Sequence, residues 1–477
     1  MLAAILVMMF TSCANADYTA KGYGGTSSSD AYPIETISEL SQLAANASAN
    51  KYYRLSNDIQ LAGVSDWPGI GTFDSPFQGH FDGDGHTIYV NIWPLPGRAS
   101  TYLPILTDRA LFGYVNTASD YAVKNLKVEG SVRGYNAGGI VSILEGGTIE
   151  GCSFSGDVIA QTRAGDDVID YLIDELDDDD IEDVNDIEKF DNAATNKTEH
   201  RAKINAGGIA AVIEDGEITG CSFRGNVTAE ADLTNANAGG IAGRMFDGNI
   251  TGCYVEGDSV ITASTSENAD NVIACAGGIA GLSVTPLDSV IQDCRVDGIV
   301  NSTYYAGGIA GQVRGTVLSG DVVSSTASVS GSYSAGGIAG YMASGGWATY
   351  NYVSSGSTVQ AESYSAGGII GLLETSGRAL ENNTSHAAIG GNAQYLGGIV
   401  GALGNNTYSG VAVGEGNTYS GADYGIGRDE WGEPSDGEEV TYSISTTAFT
   451  AAQGESFTAT LSLNKTPSAS TTWNYGT

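Results

Sequence analysis

The sequence predicts an all-β solenoid: a parallel β-helix with roughly 30 residues per coil, three short strands in each coil and a helical cap at the N-terminal end. Three observations predict it. A Gly-Gly pair recurs at Gly138, Gly207, Gly239, Gly277, Gly307, Gly336, Gly367 and Gly397, with gaps of 69, 32, 38, 30, 29, 31 and 30 residues. Between pairs, a copy such as "AGGIAGRMFDGNITGCYVEGDSVITA" contains three apolar stretches, "GGIAG", "ITGCYV" and "SVITA", each bounded by Gly, Asp or Asn. Composition agrees: 67 Gly against 9 Pro excludes collagen and proline-rich linkers, and 42% hydrophobic residues suffice for a core. Stacking successive copies pairs their strands in parallel about 4.8 Å apart, so eight coils make a rod on the order of 40 Å long.

The elements follow in chain order. Residues 1–16 are a short apolar run ending in "ANA", which reads as a signal peptide cleaved after Ala16. "FTSC" offers the competing reading of a lipobox with Cys13 as a lipid anchor. No other segment is long and apolar enough to span a membrane. Residues 17–32 form a flexible Gly/Ser lead-in, and residues 33–121 hold the cap and first coils. There Thr36 and Glu39 have capping-box spacing, and Ile37, Leu40, Leu43 and Ala44 share one helical face able to cover the open end of the core. "YYRLSNDIQL" reads as a strand with a turn at Asn57-Asp58, Gly83 and Gly85 mark turns before a strand from Thr87, and "RALFGYV" around Gly113 reads as a degenerate first copy. Residues 122–425 carry the repeats, interrupted by an acidic insertion at about 161–203 in which Ile169, Leu172, Ile173 and Leu176 have helical spacing. Residues 426–439 are a linker, and residues 440–477 alternate like the start of a β-sandwich. Within the repeat, an inward Ile241 flanked by Gly239 and Gly243 is a small-large-small pattern that fills a narrow interior, and the paired glycines allow a tight entry turn.

Charge narrows the partners. Acidic residues outnumber basic ones 56 to 20, a net charge of −36. Such a field repels phosphate backbones and anionic lipid, which excludes nucleic acid and the membrane surface as partners.

The pattern "GGIAG…I.GC…G.V" resembles the GLUG motif, a glycine-rich repeat of bacterial surface proteins. The stretch "YPIETISEL…YYRLSNDIQL…WPGIG…FQGHFDGDGHTI" resembles the lead-in to such repeats. The resemblance covers about residues 32–412, and the start of residues 440–477 is similar to a bacterial immunoglobulin-like domain. It implies a right-handed parallel β-helix on an exported, adhesin-like protein, and it brings no catalytic residues. The acidic insertion and the loss of Cys from the later copies depart from the pattern. Right-handed β-helices also include pectate lyases and polygalacturonases, but 20 scattered Lys and Arg argue against a lyase of polyanionic substrates.

Few residues carry candidate chemistry. Cys152, Cys221 and Cys253 each follow the first glycine of their pair by 14 residues, and Cys294 follows by 17, so they should stack in one column. In-register side chains point the same way, which favours buried free thiols over a Cys221–Cys253 disulfide; Cys275 falls outside the column. His80 and His86 flank Asp82 and Asp84, a metal or acid–base cluster on one reading and a glycine turn on the other. The acidic run Asp177–Asp180 lacks the order of an EF-hand loop; a solvated charge run and weak Ca²⁺ association are both open, and no other cofactor or metal is expected. Tyr135, Tyr304, Tyr333 and Tyr364 sit three residues before a Gly-Gly pair, and Tyr305 and Tyr395 two before. Stacked coils turn them into an aromatic column, either a ladder that stiffens the rod or a platform for sugar rings, which makes Tyr304, Tyr333, Tyr364 and Tyr395 the ligand-binding candidates.

The expected function is therefore that of an exported, non-enzymatic surface protein presenting a rigid rod to a host, matrix or glycan ligand. A carbohydrate-active β-helix enzyme and a spacer for a further C-terminal domain are the alternatives. An open groove lined by carboxylates would favour the enzyme.

Overall fold

The computed structural model describes residues 25–161 and 203–428, apart from short gaps within each, together with 442–445 and 460–463. The signal stretch, Cys13, the acidic insertion with Asp177–Asp180 and most of residues 440–477 lie outside the described residues. The described chain is a parallel β-helix of three sheets, with 18, 16 and 8 strands.

One coil shows the plan. Asn235–Gly239 lies in the 8-stranded sheet, Ala242–Met245 and Gly248–Thr251 in the 18-stranded sheet, and Tyr254–Val255 and Val260–Thr265 in the 16-stranded sheet. The coil thus has the three expected faces, but turns at Phe246-Asp247 and at 256–259 break two of them, leaving five short strands. Each strand pairs in parallel and in register with its copy on the next coil: Gly239 with Gly277, Ile250 with Ile291, Ile261 with Val300. Ile140, Ile209, Ile241, Ile279, Ile309, Ile338, Ile369 and Ile399 form one buried interior column. The motif has copies before the first Gly-Gly pair. Ile70 N–H donates to Leu111 O just as Ile140 N–H donates to Ile209 O, so "PGIG" at 68–71 and "ALFG" at 110–113 are earlier copies of the motif. The strand Phe112–Lys124 crosses the position between 121 and 122 where the repeats were expected to start.

The Gly-Gly pair does not serve an unusual backbone turn. Gly239, Gly277, Gly307 and Gly336 have none of the positive φ angles found elsewhere in the chain. Space is the reason. A Cβ on Gly277 would overlap Ala280 O and lie 2.7 Å from Gly311 N, because the 8-stranded and 18-stranded sheets fold onto each other with backbone against backbone. Left-handed backbone is used at another corner, between the 18- and 16-stranded sheets. Asn125, Gly151, Gly220, Gly252, Asp293, Gly320, Tyr350, Asn382 and Gly416 all have positive φ there. Each but the last donates its N–H to the residue before its successor, for example Gly252 N–H to Gln292 O.

The residue after each left-handed position points inward, and these side chains form a second column. In order they are Leu126, Cys152, Cys221, Cys253, Cys294, Asp321, Asn351, Asn383 and Asn417. The four cysteines are buried and free. Cys152 N–H donates to Cys221 Sγ at 3.4 Å, and Cys253 Sγ donates to Ile218 O at 3.7 Å. Burial pushes the Cys221 thiol up, and the bond to Cys221 pushes the Cys253 thiol up. Cys275 stands apart, buried in the 8-stranded sheet beyond Asn237. The thiolate is the nucleophile. Because all three are buried away from a reagent, Cys152, Cys221 and Cys253 should stay unlabelled by a thiol reagent in the native protein and react at once in denaturant. A bridged Cys221–Cys253 peptide in non-reducing mass spectrometry would contradict this.

At the N-terminal end, Tyr32–Ile34 pairs in parallel with Tyr52–Leu55, which pairs with His80–Asp82. The helix Ile37–Ala45 has its capping box closed: Glu39 N–H donates to Thr36 Oγ1 at 3.3 Å, and Thr36 N–H donates to Glu39 Oε2 at 3.1 Å. Leu40 and Leu43 are buried in the core cluster; Ile37, expected on the same face, is exposed at the first turn, and Ala47 just past the helix is buried. Residues Tyr442–Ser445 and Thr460–Leu463 pair antiparallel. Among the described residues, no helix is long and apolar enough to cross a membrane.

Candidate functional site

The tyrosine column forms where the 16-stranded sheet hands over to the 8-stranded sheet. Register fixes it: Tyr305 pairs with Ser334 and Ser334 with Ser365, so the preceding residues Tyr304, Tyr333 and Tyr364 stack. Ring centroids of Tyr304 and Tyr333 are 4.8 Å apart at 11°, and those of Tyr333 and Tyr364 are 4.9 Å apart at 6°. The coil spacing itself sets these separations. Tyr395 departs from the column. It pairs with Ser365, one position further along, and meets Tyr364 edge-on at 5.5 Å and 84°. Tyr135 also departs: the core buries it fully.

Tyr341, Glu374 and Arg428, which the sequence did not single out, complete the cluster. Tyr305 stacks on Tyr341 at 5.0 Å, and Tyr341 donates its hydroxyl to Glu374 Oε2 at 2.8 Å. Arg428 donates from Nη1 to the Tyr364 hydroxyl at 2.6 Å and lies over the Tyr395 ring at 5.4 Å. Tyr304, Tyr333, Tyr364 and Tyr395 are all half-buried. Because the stacked rings cover one another's faces, the column turns ring edges and hydroxyls outward. Burial holds the Tyr333 phenol above its usual range, and burial raises Tyr305 and Tyr341 further. These phenols are neutral hydrogen-bonding groups rather than nucleophiles.

The histidines do not converge. His80 is buried, with Nδ1 2.7 Å from Tyr121 O and its ring stacked on Tyr52 at 4.2 Å. His86 lies 3.3 Å from Asp58 Oδ1. Asp58 is held below its usual range first by the bond from Thr87 N–H.

A different feature has the carboxylates. An open groove of about 560 Å³ runs over successive coils at the turn that splits the 18-stranded sheet, lined by Glu145, Asp215, Glu217 and Asp247 with Asn116 and Asn249. Glycines carve it: Gly147 and Gly248 have φ of 97° and 100°, and a Cβ on Gly248 would overlap Gly216 O. Asp247 Oδ1 accepts from Gly248 N–H at 2.7 Å and from the Ser289 hydroxyl at 2.9 Å. Spacing aligns only two of these acids: Asp215 and Asp247 each follow the first glycine of their pair by eight residues, whereas Glu145 follows by seven and Glu217 by ten.

Fold and repeat together define a parallel β-helix solenoid built on a glycine-rich coil. The chain carries the GLUG motif: residues 133–159, the coil with Ile140, Gly151 and Cys152, match the model of that family. No curated protein matches the chain. Among solved structures it is similar to a candidate immunoglobulin A1 protease from Bacteroides ovatus, at 18% identity and a TM-score of 0.40 over 84% of this chain and 85% of that one. It is also similar to an IgA1 protease, at 16% identity and a TM-score of 0.40 over 70% of this chain; the match spans 23% of that protein.

Proposed function

We propose that this chain is an exported, non-enzymatic rod of the adhesin type at a bacterial surface, and that it holds a glycan along the outer edge of its tyrosine column. The observation that supports this most is the regular stack of Tyr304, Tyr333 and Tyr364 at 4.8 and 4.9 Å. A ligand with a repeating unit can bond at successive coils, and each further contact is made at high effective concentration. The net charge of −36 favours a neutral chain over an anionic one. The apolar residues 1–16 support export.

A glycan and matrix-protein array tests the reading. The double variant Tyr333→Ala/Tyr364→Ala should bind its glycan at least ten-fold more weakly. It should also lose about 1–3 kcal/mol of stability with two stacked pairs. A variant that melts lower but binds normally would leave the column as structure alone. The groove of Glu145, Asp215, Glu217 and Asp247 supports a second reading, a glycoside hydrolase working with two carboxylates. Release of reducing ends by the wild type, abolished in Asp215→Asn/Glu217→Gln, would select it.

A further inference from the structure

We propose that the corner carrying Trp347, Tyr350 and Tyr352 is a carbohydrate-binding site separate from the tyrosine column, and that it takes a neutral glycan by stacking pyranose rings on open aromatic faces. Nine large hydrophobic side chains are exposed among the described residues, and these three lie within six positions of one another, exposed by 41%, 66% and 40%. Trp347 is on a strand of the 18-stranded sheet, Tyr352 on a strand of the 16-stranded sheet, and Tyr350 in the turn between them. The tyrosine column lies at a different corner of the coil.

The backbone at Tyr350 marks the corner out. Its φ is 59°, in the left-handed column that other coils fill with Gly, Asn or Asp. A bulky side chain is strained there, at a cost on the order of 1 kcal/mol, and strain of this kind is kept where a side chain has work to do. A glycine would serve the fold better. At this position the ring, rather than the turn, accounts for the residue.

The surroundings select the ligand. Trp347 pairs with Val317 and Tyr352 with Val322 on the preceding coil, both half-buried valines. On the following coil Tyr352 pairs with Thr384, Asn382 occupies the next left-handed position, and His386 meets the Tyr352 ring edge-on at 5.9 Å. An apolar margin on one side and hydrogen-bonding groups on the other suit a sugar, which has a C–H face and a hydroxyl rim. Rings of the tyrosine column cover each other, whereas no aromatic ring stacks on Trp347 or Tyr350 among the described residues. At their observed exposure the three side chains offer on the order of 300 Å². A stable protein partner needs about 800 Å² per side. Among the described residues no ring contact joins Trp347, Tyr350 and Tyr352, so they do not form the cage that holds a cation.

The test is titration calorimetry of the whole chain with neutral oligosaccharides of glucose, galactose, mannose and N-acetylglucosamine, beside an arginine-rich peptide. The wild type should bind at least one oligosaccharide. Trp347→Ala and Tyr350→Gly should each weaken that binding at least ten-fold, while Trp93→Ala, at an exposed aromatic of another coil, leaves it at the wild-type value; Tyr333→Ala/Tyr364→Ala is measured beside them as the column variant. Tyr350→Gly should also raise the melting temperature by about 1–2 °C as the left-handed strain is relieved. Weaker binding by a more stable protein is a pair of results that a merely structural tyrosine cannot give. Binding unchanged in both corner variants overturns the proposal, as does binding lost only in the column variant, which would support the tyrosine column instead. Uptake of the peptide with no oligosaccharide bound also overturns it.

Discussion

Gly307→Ala should lower stability by about 3 kcal/mol, although alanine is only one methyl group larger. The backbone at Gly307 lies outside the left-handed region, so alanine meets no conformational penalty there. The cost is spatial. The new Cβ would overlap Ala310 O within the same coil and stand 2.8 Å from Gly340 N on the next. Both neighbours are backbone atoms held in parallel ladders, Gly307 with Gly277 and Gly336, and Ala310 with Ala280 and Ala339. No flexible side chain can swing aside, which places the substitution at the upper end of the 1–3 kcal/mol usual for overpacking. Two controls isolate the cause. A Cβ at Gly390 meets nothing within 4 Å, so Gly390→Ala should be neutral or slightly stabilising. A Cβ at Gly220 also meets open space but at φ +61°, so Gly220→Ala should cost about 1 kcal/mol through conformation alone. Urea melts of the three variants check the order. Equal stability of Gly307→Ala and Gly390→Ala would show that the two sheets can part locally, and would remove close approach as the reason for the motif.

How much of this was legible depends on where the insertions fall. The Gly-Gly pair and the Ile after it stand out because that turn is the same length in nearly every coil, so one spacing describes them all. Cys152, Cys221 and Cys253 were legible for the same reason. Cys294 sits three residues late yet joins the column, because the extra residues lie between the strands Ala280–Val284 and Val290–Gln292 and leave the ladder unshifted. Beyond Cys294 the column changes chemistry and drifts in spacing. Asp321 keeps the 14-residue spacing of Cys152, Cys221 and Cys253 and is hidden by its change of chemistry, whereas Asn351, Asn383 and Asn417 follow their pairs by 15, 16 and 20 residues and drift out of that spacing. The tyrosines show the same limit. The spacing of Tyr304, Tyr333 and Tyr364 gave their stack, but Glu374 and Arg428 come from other turns of other coils and answer to no period. Tyr395 differs by one residue in spacing, and in a strand one residue changes the face presented.

Asp321→Asn should stabilise the protein by about 2–3 kcal/mol at pH 7, and the gain should shrink toward pH 4. Asp321 is buried at the junction between the thiol and amide halves of the inward column. Its Oδ1 accepts from Cys294 N–H at 2.9 Å, and its own N–H donates to Asn351 Oδ1 at 3.0 Å. Its Oδ2 has no partner. A buried, unsatisfied polar atom costs about 1–3 kcal/mol, and more when charged. Burial pushes this carboxyl well above its usual range, and Cys294 and Asp293 add to the shift. The sign follows. A carboxyl whose folded value is raised is no burden below its unfolded value near 4. Above that the unfolded state releases the proton first, and stability falls by about 1.4 kcal/mol per pH unit until the folded group also ionises. An asparagine removes this dependence and continues a ladder already present. Asn351 Nδ2 donates to Leu318 O and to Asn383 Oδ1, both at 3.0 Å, and Asn383 Nδ2 donates to Ala348 O at 2.9 Å and to Asn417 Oδ1 at 3.0 Å. Ile291 is the register partner of Leu318 one coil back, so an amide at 321 would reach Ile291 O and Asn351 Oδ1 in the same way. Melts of wild type and variant at pH 4, 5.5 and 7 measure the difference, and the rest of the acidic surface cancels in the comparison. A variant less stable than wild type at pH 7, or a difference that stays constant with pH, would mean that the carboxylate finds compensation in the column and that the thiol-to-amide junction is stable as an ionised site.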